Sequence, residues 1–290
     1  DMETAAAART GIIQGNIRQD VKWDAGYRTR TLDSYTRLSL SLKAKAPDLV
    51  VWPETALPFY YGFNRPLSDR VDRCIRQMNT SFLIGSPAFD RSPPKIRFFN
   101  RAYMLNRFSI EAGRYDKHHL VPFGEYVPFG RYLTFLGKIT AQAGDFSPGN
   151  EPFTPLPFPT GDTGKEVTTG VLICFEILFP SIASEFVTNG AGVLTTITND
   201  AWFGRTPAAR QHFSIAVFRA VENRRALIRA ANTGISGFIS PTGAVMEETG
   251  LFTEAAIVQE LPVLDRITVY TRIKDLFSWA AMVAFFLGFV

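Results

Sequence analysis

The chain has 290 residues, enough for one large domain or two small ones. Hydrophobic residues make up 46% and charged residues 20%, so most of the chain should fold around a substantial core. The net charge is only +4, and the 31 basic residues are scattered among 27 acidic ones, which argues against a nucleic-acid-binding protein.

The first segments along the chain predict a short tail followed by strands. Residues 1–8 contain no apolar run of signal-peptide length. Strand-like segments then recur, and several are apolar almost throughout, which is typical of sheets covered on both faces. The predicted strands cover residues 11–17, 48–54, 81–89, 101–106, 170–176, 192–200, 236–243 and 255–262.

Helical periodicity alternates with these strands. Between Thr31 and Ala46, apolar residues recur at steps of three and four, which predicts an amphipathic helix. A longer helix is predicted to begin after Pro207 and to continue through Asn232, before Gly234 stops it. Alternating strands and helices indicate an α/β fold.

Residues 120–164 interrupt this alternation with seven prolines interleaved with phenylalanines. Loops longer than about 15 residues inside a compact domain are usually functional or disordered. Because a disordered linker would not be so aromatic, we expect an ordered excursion over an active site or onto a membrane. A loop that packs its own small satellite core is the alternative.

The C-terminal residues 269–290 predict the start of a membrane helix. The run from Leu276 to Val290 carries no charge, but a spanning helix needs about 20 apolar residues, so we expect a truncated span. Trp279 fits an interfacial anchor. The alternative is a terminal helix packed on the domain.

Cysteine and histidine usage predicts neither a disulfide framework nor a metal site. The chain has two cysteines, and no Cys/His cluster has metal-ligand spacing. We interpret Cys74 as a structural residue of a helix. His118, His119 and His212 are interpreted as solvated or structural.

Three short stretches place polar groups at or just beyond strand ends: Glu54 in "VVWPETALP", Lys117 in "YDKHHLVPFGEYVPF", and Cys174 in "GVLICFEILFP". Singly, a strand-end glutamate is usually a solvated cap, a lysine a surface charge, and a cysteine in an apolar strand an inert core residue.

Together these three residues form a sufficient set for acyl transfer through a thioester. A free thiol is mostly protonated at neutral pH, and a nearby carboxylate can take its proton as the sulfur attacks a carbonyl. A lysine ammonium and a backbone N–H after the nucleophile can stabilise the resulting oxyanion.

At this point the sequence resembles the carbon–nitrogen hydrolase (nitrilase) superfamily. The stretches that carry the resemblance are "QGNIRQDVKWD", "WPETALP", "YDKHHLVPFGEYVP", "GVLICFEILFP" and "TNDAWFG", which occur in the superfamily's order. The resemblance implies a four-layer α-β-β-α sandwich over residues 9–268, with the residue 120–164 excursion inside it.

The resemblance also implies the role of each site residue. Cys174 would be the nucleophile, Glu54 the general base, and Lys117 the group that stabilises the tetrahedral intermediate. The supporting residues would be Glu125, which positions Lys117 and the base, Glu176, the backbone N–H of Phe175, and Trp23 along the substrate path. Glu222 and the Asn199–Asp200 pair resemble positions that support the site from behind, although a surface ion pair explains Glu222 as well.

The finer match is to the branch of the superfamily that acylates lipoproteins. It implies a phospholipid acyl donor, an apolipoprotein acceptor with a free N-terminal amine, no metal or organic cofactor, and a monomer. The location would be the bacterial inner membrane, with the catalytic domain on the periplasmic side.

The sequence departs from this branch at two points. The branch carries membrane helices before the catalytic domain, and it often has tyrosine where this chain has Phe175. A soluble amidase with the same triad and water as acceptor is the alternative function. A catalytically dead binding domain is a third reading, against which the intact triad argues.

Overall fold

A computed structural model describes residues 6–20, 22–91, 96–126, 146–161 and 164–288. Within these ranges, twelve strands form two six-stranded mixed sheets. The strands of the first sheet are β1 (Ala6–Gln14), β2 (Leu49–Val51), β3 (Ser81–Asp90), β4 (Arg97–Leu105), β5 (Glu111–Asp116) and β12 (Ala255–Val263). Those of the second are β6 (Leu156–Thr160), β7 (Lys165–Ile173), β8 (Val193–Thr198), β9 (Leu227–Ala231), β10 (Gly237–Ile239) and β11 (Val245–Glu248).

The two sheets share one plan. The first has the order β12-β1-β2-β3-β4-β5 and the second β11-β10-β9-β8-β7-β6. In the first sheet β1, β2 and β3 run parallel, and in the second β7, β8 and β9 do. Antiparallel strands complete both edges of each sheet.

Helices α1 to α4 cover the outer faces of the two sheets. The helices that the structure describes are α1 (Ala25–Ser41), α2 (Arg65–Met78), α3 (Pro180–Thr188), α4 (Ala208–Asn223), α5 (Val269–Ile273) and α6 (Leu276–Gly288). Apolar residues of α1 and α2 share one buried cluster with β2, β3 and β4. Residues of α3 and α4 share another cluster with the second sheet and with the inward-facing residues of the first. The predicted α-β-β-α sandwich is therefore confirmed.

Burial between the sheets explains the apolar strands. Leu83 and Met104 of the first sheet belong to the same buried cluster as Leu156 and Phe158 of the second. Strands covered by a helix on one side and a sheet on the other have two buried faces, so they read as continuous apolar runs rather than as alternations.

The predicted helix 208–232 is wrong in its second half. Helix α4 ends at Asn223, where Arg224 takes the left-handed conformation (φ +49°), and the chain then enters β9. The short buried run Leu227–Ala231 carries no periodicity that separates strand from helix, so the sequence pattern could not detect the change.

The residue 120–164 excursion is not one continuous loop. Strand β6 lies inside it and pairs antiparallel with β7, so its Pro- and Phe-rich sequence forms a sheet edge. Proline is tolerated at such an edge because outward-facing N–H groups are not needed there. Residues 127–145, with Phe129 and Phe135, lie outside the described residues.

Helix α6 contains the uncharged C-terminal run. Its side chains pack into neither buried cluster, and Phe277 is 76% exposed. The alternative considered for this run, a terminal helix packed on the domain, is not observed. In the described part of the chain no helix has both the length and the apolarity required to cross a bilayer.

Candidate active site

The candidate residues follow strands whose carboxyl ends meet at one end of the sandwich. Glu54 follows β2, Lys117 comes directly after β5, and Cys174 comes directly after β7. In open α/β sheets, ligands bind beyond the carboxyl ends of parallel strands. Here two sheets contribute such ends, so a base from one sheet and a thiol from the other can face the same pocket.

Glu54 is held by neutral donors. Its Oε1 accepts a hydrogen bond from Asn100 Nδ2 at 2.7 Å, and its Oε2 accepts one from the Asn199 N–H at 2.9 Å. The side chain is nearly buried, and Gly85 allows its backbone to lie against β3. A Cβ on Gly85 would meet the Pro53 carbonyl oxygen at 2.5 Å, so a larger residue there would displace the Glu54 loop.

Lys117 places an ammonium between two carboxylates. Its side chain is 1% exposed, and its Nζ lies 2.7 Å from Glu125 Oε2 and 3.9 Å from Glu54 Oε1. Burial lowers the pKa of Lys117, but the neighbouring Cys174, Glu54 and Glu125 outweigh burial and raise it overall. Lys117 is therefore a permanent cation in the pocket.

Cys174 sits in a strained turn. Its φ of +54° lies in the left-handed region, which a non-glycine residue adopts only where surrounding structure enforces it. The residue is partly exposed, whereas Cys74 in α2 is buried. Burial of the thiol and the charge of Glu54 raise the pKa of Cys174 to about 12, against the lowering effect of Lys117. The thiol is therefore protonated at neutral pH and needs a base.

Glu176 joins the nucleophile to the lysine segment. It is fully buried, and its Oε2 accepts the Ile173 N–H at 2.8 Å. Its Oε1 accepts the Tyr115 hydroxyl at 2.8 Å and the N–H groups of His118 and His119 at 2.7 and 3.1 Å. Burial raises the pKa of Glu176 to about 7, although these N–H donors oppose the shift. This carboxylate fixes the end of β7 against the residues that follow Lys117.

A second polar cluster lies behind the thiol. His212 Nδ1 is 3.0 Å from Asp200 Oδ1, and its Nε2 is 3.3 Å from the carbonyl oxygen of Cys174. Arg229 donates to Asp200 Oδ2 at 2.8 Å. Burial would raise the pKa of Asp200, but Arg229 and His212 lower it to about 2. The cluster therefore supports the strained turn through the backbone carbonyl of Cys174.

Two tryptophans close in sequence to site residues are exposed, and one further lysine is buried beside the Glu54 segment. Trp23 is 46% exposed and Trp202 65% exposed. Lys22 is 1% exposed, and its Nζ donates to Thr55 Oγ1 at 2.8 Å. Burial lowers the pKa of Lys22 to about 8, against the attraction of Glu54.

The structure brings Glu54, Lys117, Cys174, Glu125 and Glu176 close to one another, and Trp23 is 46% exposed. Phe175 lies in a 3-10 helix that begins at Cys174 rather than in a continuing strand. Glu222 binds Arg219 at 2.8 Å, and that arginine contacts the carbonyls of Ile177 and Leu178 at 3.4 Å, so the ion pair also supports the turn after Cys174.

Sequence reasoning missed Asn100, His212 and Lys22. His212 is not solvated but 6% exposed, and it contacts the Cys174 backbone. Asn100 left one signal, since it is an amide within the strand "RFFNRAYML", directly after two phenylalanines. A polar residue buried in a strand needs a partner, and no local pattern indicates which residue that partner is.

The arrangement contains the parts of an acyl-transfer site: a thiol, a carboxylate held by neutral donors, and a buried ammonium. In the described ranges no group of three or more His, Cys, Asp or Glu side chains is placed to hold a metal ion.

Comparisons with known proteins agree with this geometry. The family model of the carbon-nitrogen hydrolases matches residues 9–268. The crystal structure of an amidase from Nesterenkonia sp. superimposes with a TM-score of 0.64 at 18% identity, covering 95% of this chain and 96% of the amidase. At that identity the likeness concerns the fold.

Two bacterial relatives are named apolipoprotein N-acyltransferase. The Geobacter metallireducens protein is 43% identical over 281 residues, which are 97% of this chain and 53% of the relative. The Chlorobaculum tepidum protein is 33% identical over 94% of this chain and 54% of its own length. The chain thus spans about half the length of the curated relatives it matches.

Proposed function

Because the chain belongs to the carbon-nitrogen hydrolase family, we propose that it uses the family's thioester chemistry as an apolipoprotein N-acyltransferase. In this proposal the acyl donor is a phospholipid, and the acceptor is the free N-terminal amine of a diacylglyceryl-cysteine apolipoprotein. Support comes from the two relatives described above, which carry this name and are 43% and 33% identical to this chain.

The first half-reaction forms the thioester. Glu54 takes the proton of the Cys174 thiol as the sulfur attacks the acyl ester carbonyl. Lys117 and the N–H of Phe175 stabilise the oxyanion of the tetrahedral intermediate. The carbon–oxygen bond then breaks, and Glu54 returns the proton to the departing lysophospholipid oxygen.

The second half-reaction transfers the acyl chain to nitrogen. The neutral amine of the acceptor attacks the thioester carbonyl, and Glu54 takes the proton that the nitrogen loses. The carbon–sulfur bond breaks, and the thiolate recovers a proton from Glu54. The enzyme returns to its starting state, with one ester consumed and one amide formed.

One observation carries this proposal: the Cys174 thiol follows β7 in a strained turn, within electrostatic range of both Glu54 and Lys117. A protonated thiol beside a carboxylate that no ammonium contacts directly is suited to base-assisted attack. Glu125 takes the direct ion pair with Lys117, which leaves Glu54 available as a base.

We also propose that the protein acts at the bacterial inner membrane, with the catalytic domain on the periplasmic side. The exposed apolar surface of α6 supports contact with lipid, since monomeric soluble proteins rarely expose large apolar patches. We keep Trp23 on the substrate path, because it is exposed and directly follows Lys22, which donates to Thr55 next to Glu54.

Intact-mass spectrometry after incubation with a phospholipid in detergent tests the proposal. We expect one fatty-acyl mass, located on Cys174 by peptide mapping and released by neutral hydroxylamine as a thioester. Addition of a diacylglyceryl-cysteine peptide should remove the mass and yield the N-acylated peptide.

Two controls separate the outcomes. Cys174→Ser should carry no hydroxylamine-sensitive mass, whereas Cys74→Ser should behave as the parent, because Cys74 is buried in α2. If the parent hydrolyses a short amide and gains no acyl mass from lipid, the chain is an amidase and the proposed transfer is wrong.

A further inference from the structure

We propose that Asn100 is a positioning residue for acyl transfer, whose amide keeps Glu54 apart from the ammonium of Lys117. This inference rests on the proposed function, but it concerns a residue that the family resemblance and the sequence motifs leave without a role. It depends on three hydrogen bonds, two from the side chain of Asn100 and one to its backbone carbonyl.

The amide nitrogen of Asn100 contacts both carboxylates of the site. Nδ2 lies 2.7 Å from Glu54 Oε1 and 3.0 Å from Glu125 Oε1. A side-chain amide carries two N–H donors, so each carboxylate can receive its own hydrogen bond. The backbone carbonyl of Asn100 also accepts the Lys117 N–H at 2.9 Å, which ties β4 to the lysine.

The orientation of this amide is determined by its surroundings. Asn100 is 3% exposed, and its Oδ1 has no hydrogen-bond partner among the described residues. Turning the amide around would direct that oxygen at two carboxylates and leave the nitrogen without acceptors. Burying a polar atom without a partner costs free energy, so the two contacts of Nδ2 must compensate for it.

The distances show that the amide of Asn100 hydrogen-bonds to Glu54, whereas the ammonium of Lys117 lies closer to Glu125 than to Glu54. Lys117 Nζ is 2.7 Å from Glu125 but 3.9 Å from Glu54, whose two oxygens are taken by Asn100 and by the Asn199 N–H. Without the amide, Glu54 could close the 3.9 Å gap and pair directly with Lys117. A carboxylate paired with an ammonium is a weaker proton acceptor, and it would turn away from the thiol.

The test measures thioester formation in Asn100→Ala and Asn100→Asp with two donors, a phospholipid and p-nitrophenyl butyrate. We expect the maximal acylation rate to fall about 100-fold with both donors, at unchanged half-saturating donor concentration, because misplacing a catalytic group by about 1 Å costs that much. Asn100→Asp keeps the shape of the side chain, so its loss would come from replacing the N–H donors with a carboxylate that repels Glu54 and Glu125, whereas Asn100→Ala removes the donors without adding a charge.

Asn223→Ala is the matched control. Asn223 is also a fully buried amide, but its side chain contacts Ser184, Thr271 and the Arg219 carbonyl. We expect it to lower the melting temperature at least as much as the Asn100 variants and to keep acylation within threefold of the parent. An Asn100 variant that acylates within threefold of the parent, or an equal loss in Asn223→Ala, overturns the positioning role.

The two donors distinguish this inference from the proposed function. If the parent reacts with p-nitrophenyl butyrate at Cys174 but not with phospholipid, the proposed lipid donor is wrong. The Asn100 comparison is then decided on the activated ester alone, by the same threefold and 100-fold criteria.

Discussion

Burial departs from the usual pattern in two regions, in opposite ways: at the carboxyl ends of β2, β5, β7 and β8, and in the helix α6. At the strand ends, ionisable groups are buried: Lys117 is 1% exposed and Glu176 is fully buried. In α6, large apolar groups are exposed, with Phe286 at 64% and Leu287 at 71%. Charged residues are rarely buried without partners, and large apolar patches are rarely left in water.

The two regions differ in whether their unusual side chains have partners within the chain. The buried charges have partners within the chain, since Lys117 pairs with Glu125 and Asp200 with Arg229. The apolar side chains of α6 pack into neither core of the chain. The first region is a preorganised site, and the second leaves apolar side chains exposed, which the proposed lipid contact would cover.

The largest effect is expected from Lys117→Met. The substitution removes the oxyanion partner and leaves the carboxylates of Glu54 and Glu125 facing each other, so thioester formation should fall about 1,000-fold. The rate of the acyl mass gain on Cys174 measures it. Lys43→Met, which changes an exposed lysine, should leave the rate unchanged, and a loss below tenfold in Lys117→Met would contradict the role of the ammonium.

The next effect concerns the thiol itself. Because the pKa of Cys174 is raised to about 12, the thiolate fraction should grow about tenfold for each pH unit across neutral and mildly alkaline solution. Alkylation by iodoacetamide, followed by intact mass between pH 7 and 9, should therefore accelerate about 100-fold. A rate that levels off below pH 9 would show a thiolate already formed at neutral pH.

Asp200 should make the free energy of unfolding depend on pH in acid solution. Its folded pKa of about 2 lies below the ordinary 3.8, so its contribution is present above about pH 4 and is lost as the pH falls through 2. That contribution is about 2 kcal/mol at neutral pH. Urea unfolding should show the gap between the parent and Asp200→Asn narrowing by this amount as the pH drops from 5 to 2.

If the difference in unfolding free energy between the parent and Asp200→Asn stays constant from pH 5 to pH 2, Asp200 stabilises the fold by packing rather than by its charge. Asp33→Asn is the control, because Asp33 pairs with Arg70 on the surface, where an ion pair contributes little. Its unfolding free energy should stay within about 0.5 kcal/mol of the parent.

The smallest effect is expected in α6. Phe286→Ser should weaken binding to phosphatidylethanolamine vesicles about tenfold, since it removes part of an apolar surface worth a few kcal/mol. Co-sedimentation measures the change. Phe108→Ser alters another exposed phenylalanine, in the turn between β4 and β5, and should leave vesicle binding unaltered. If Phe286→Ser and Phe108→Ser weaken vesicle binding equally, α6 does not form the lipid contact.

Much of the architecture could be predicted from the sequence, and particular residues show where prediction stopped. Apolar runs located the central strands, and the position of Cys174 at the end of one of them suggested a nucleophile. The short run Leu227–Ala231 was assigned to a helix, because a buried strand of five residues has no distinctive period. The edge strand β6 was missed because proline-rich sequence indicates loops.

The sequence by itself determined the chemical groups: a thiol, a carboxylate and an ammonium in local patterns that match one superfamily, and an uncharged C-terminal run. Only the tertiary structure decided which neutral groups hold them. Asn100 meets Glu54 across 46 residues and Glu125 across 25, and His212 reaches Cys174 across 38. Such contacts arise when two sheets bring their strand ends together, and no local pattern of residues encodes that meeting.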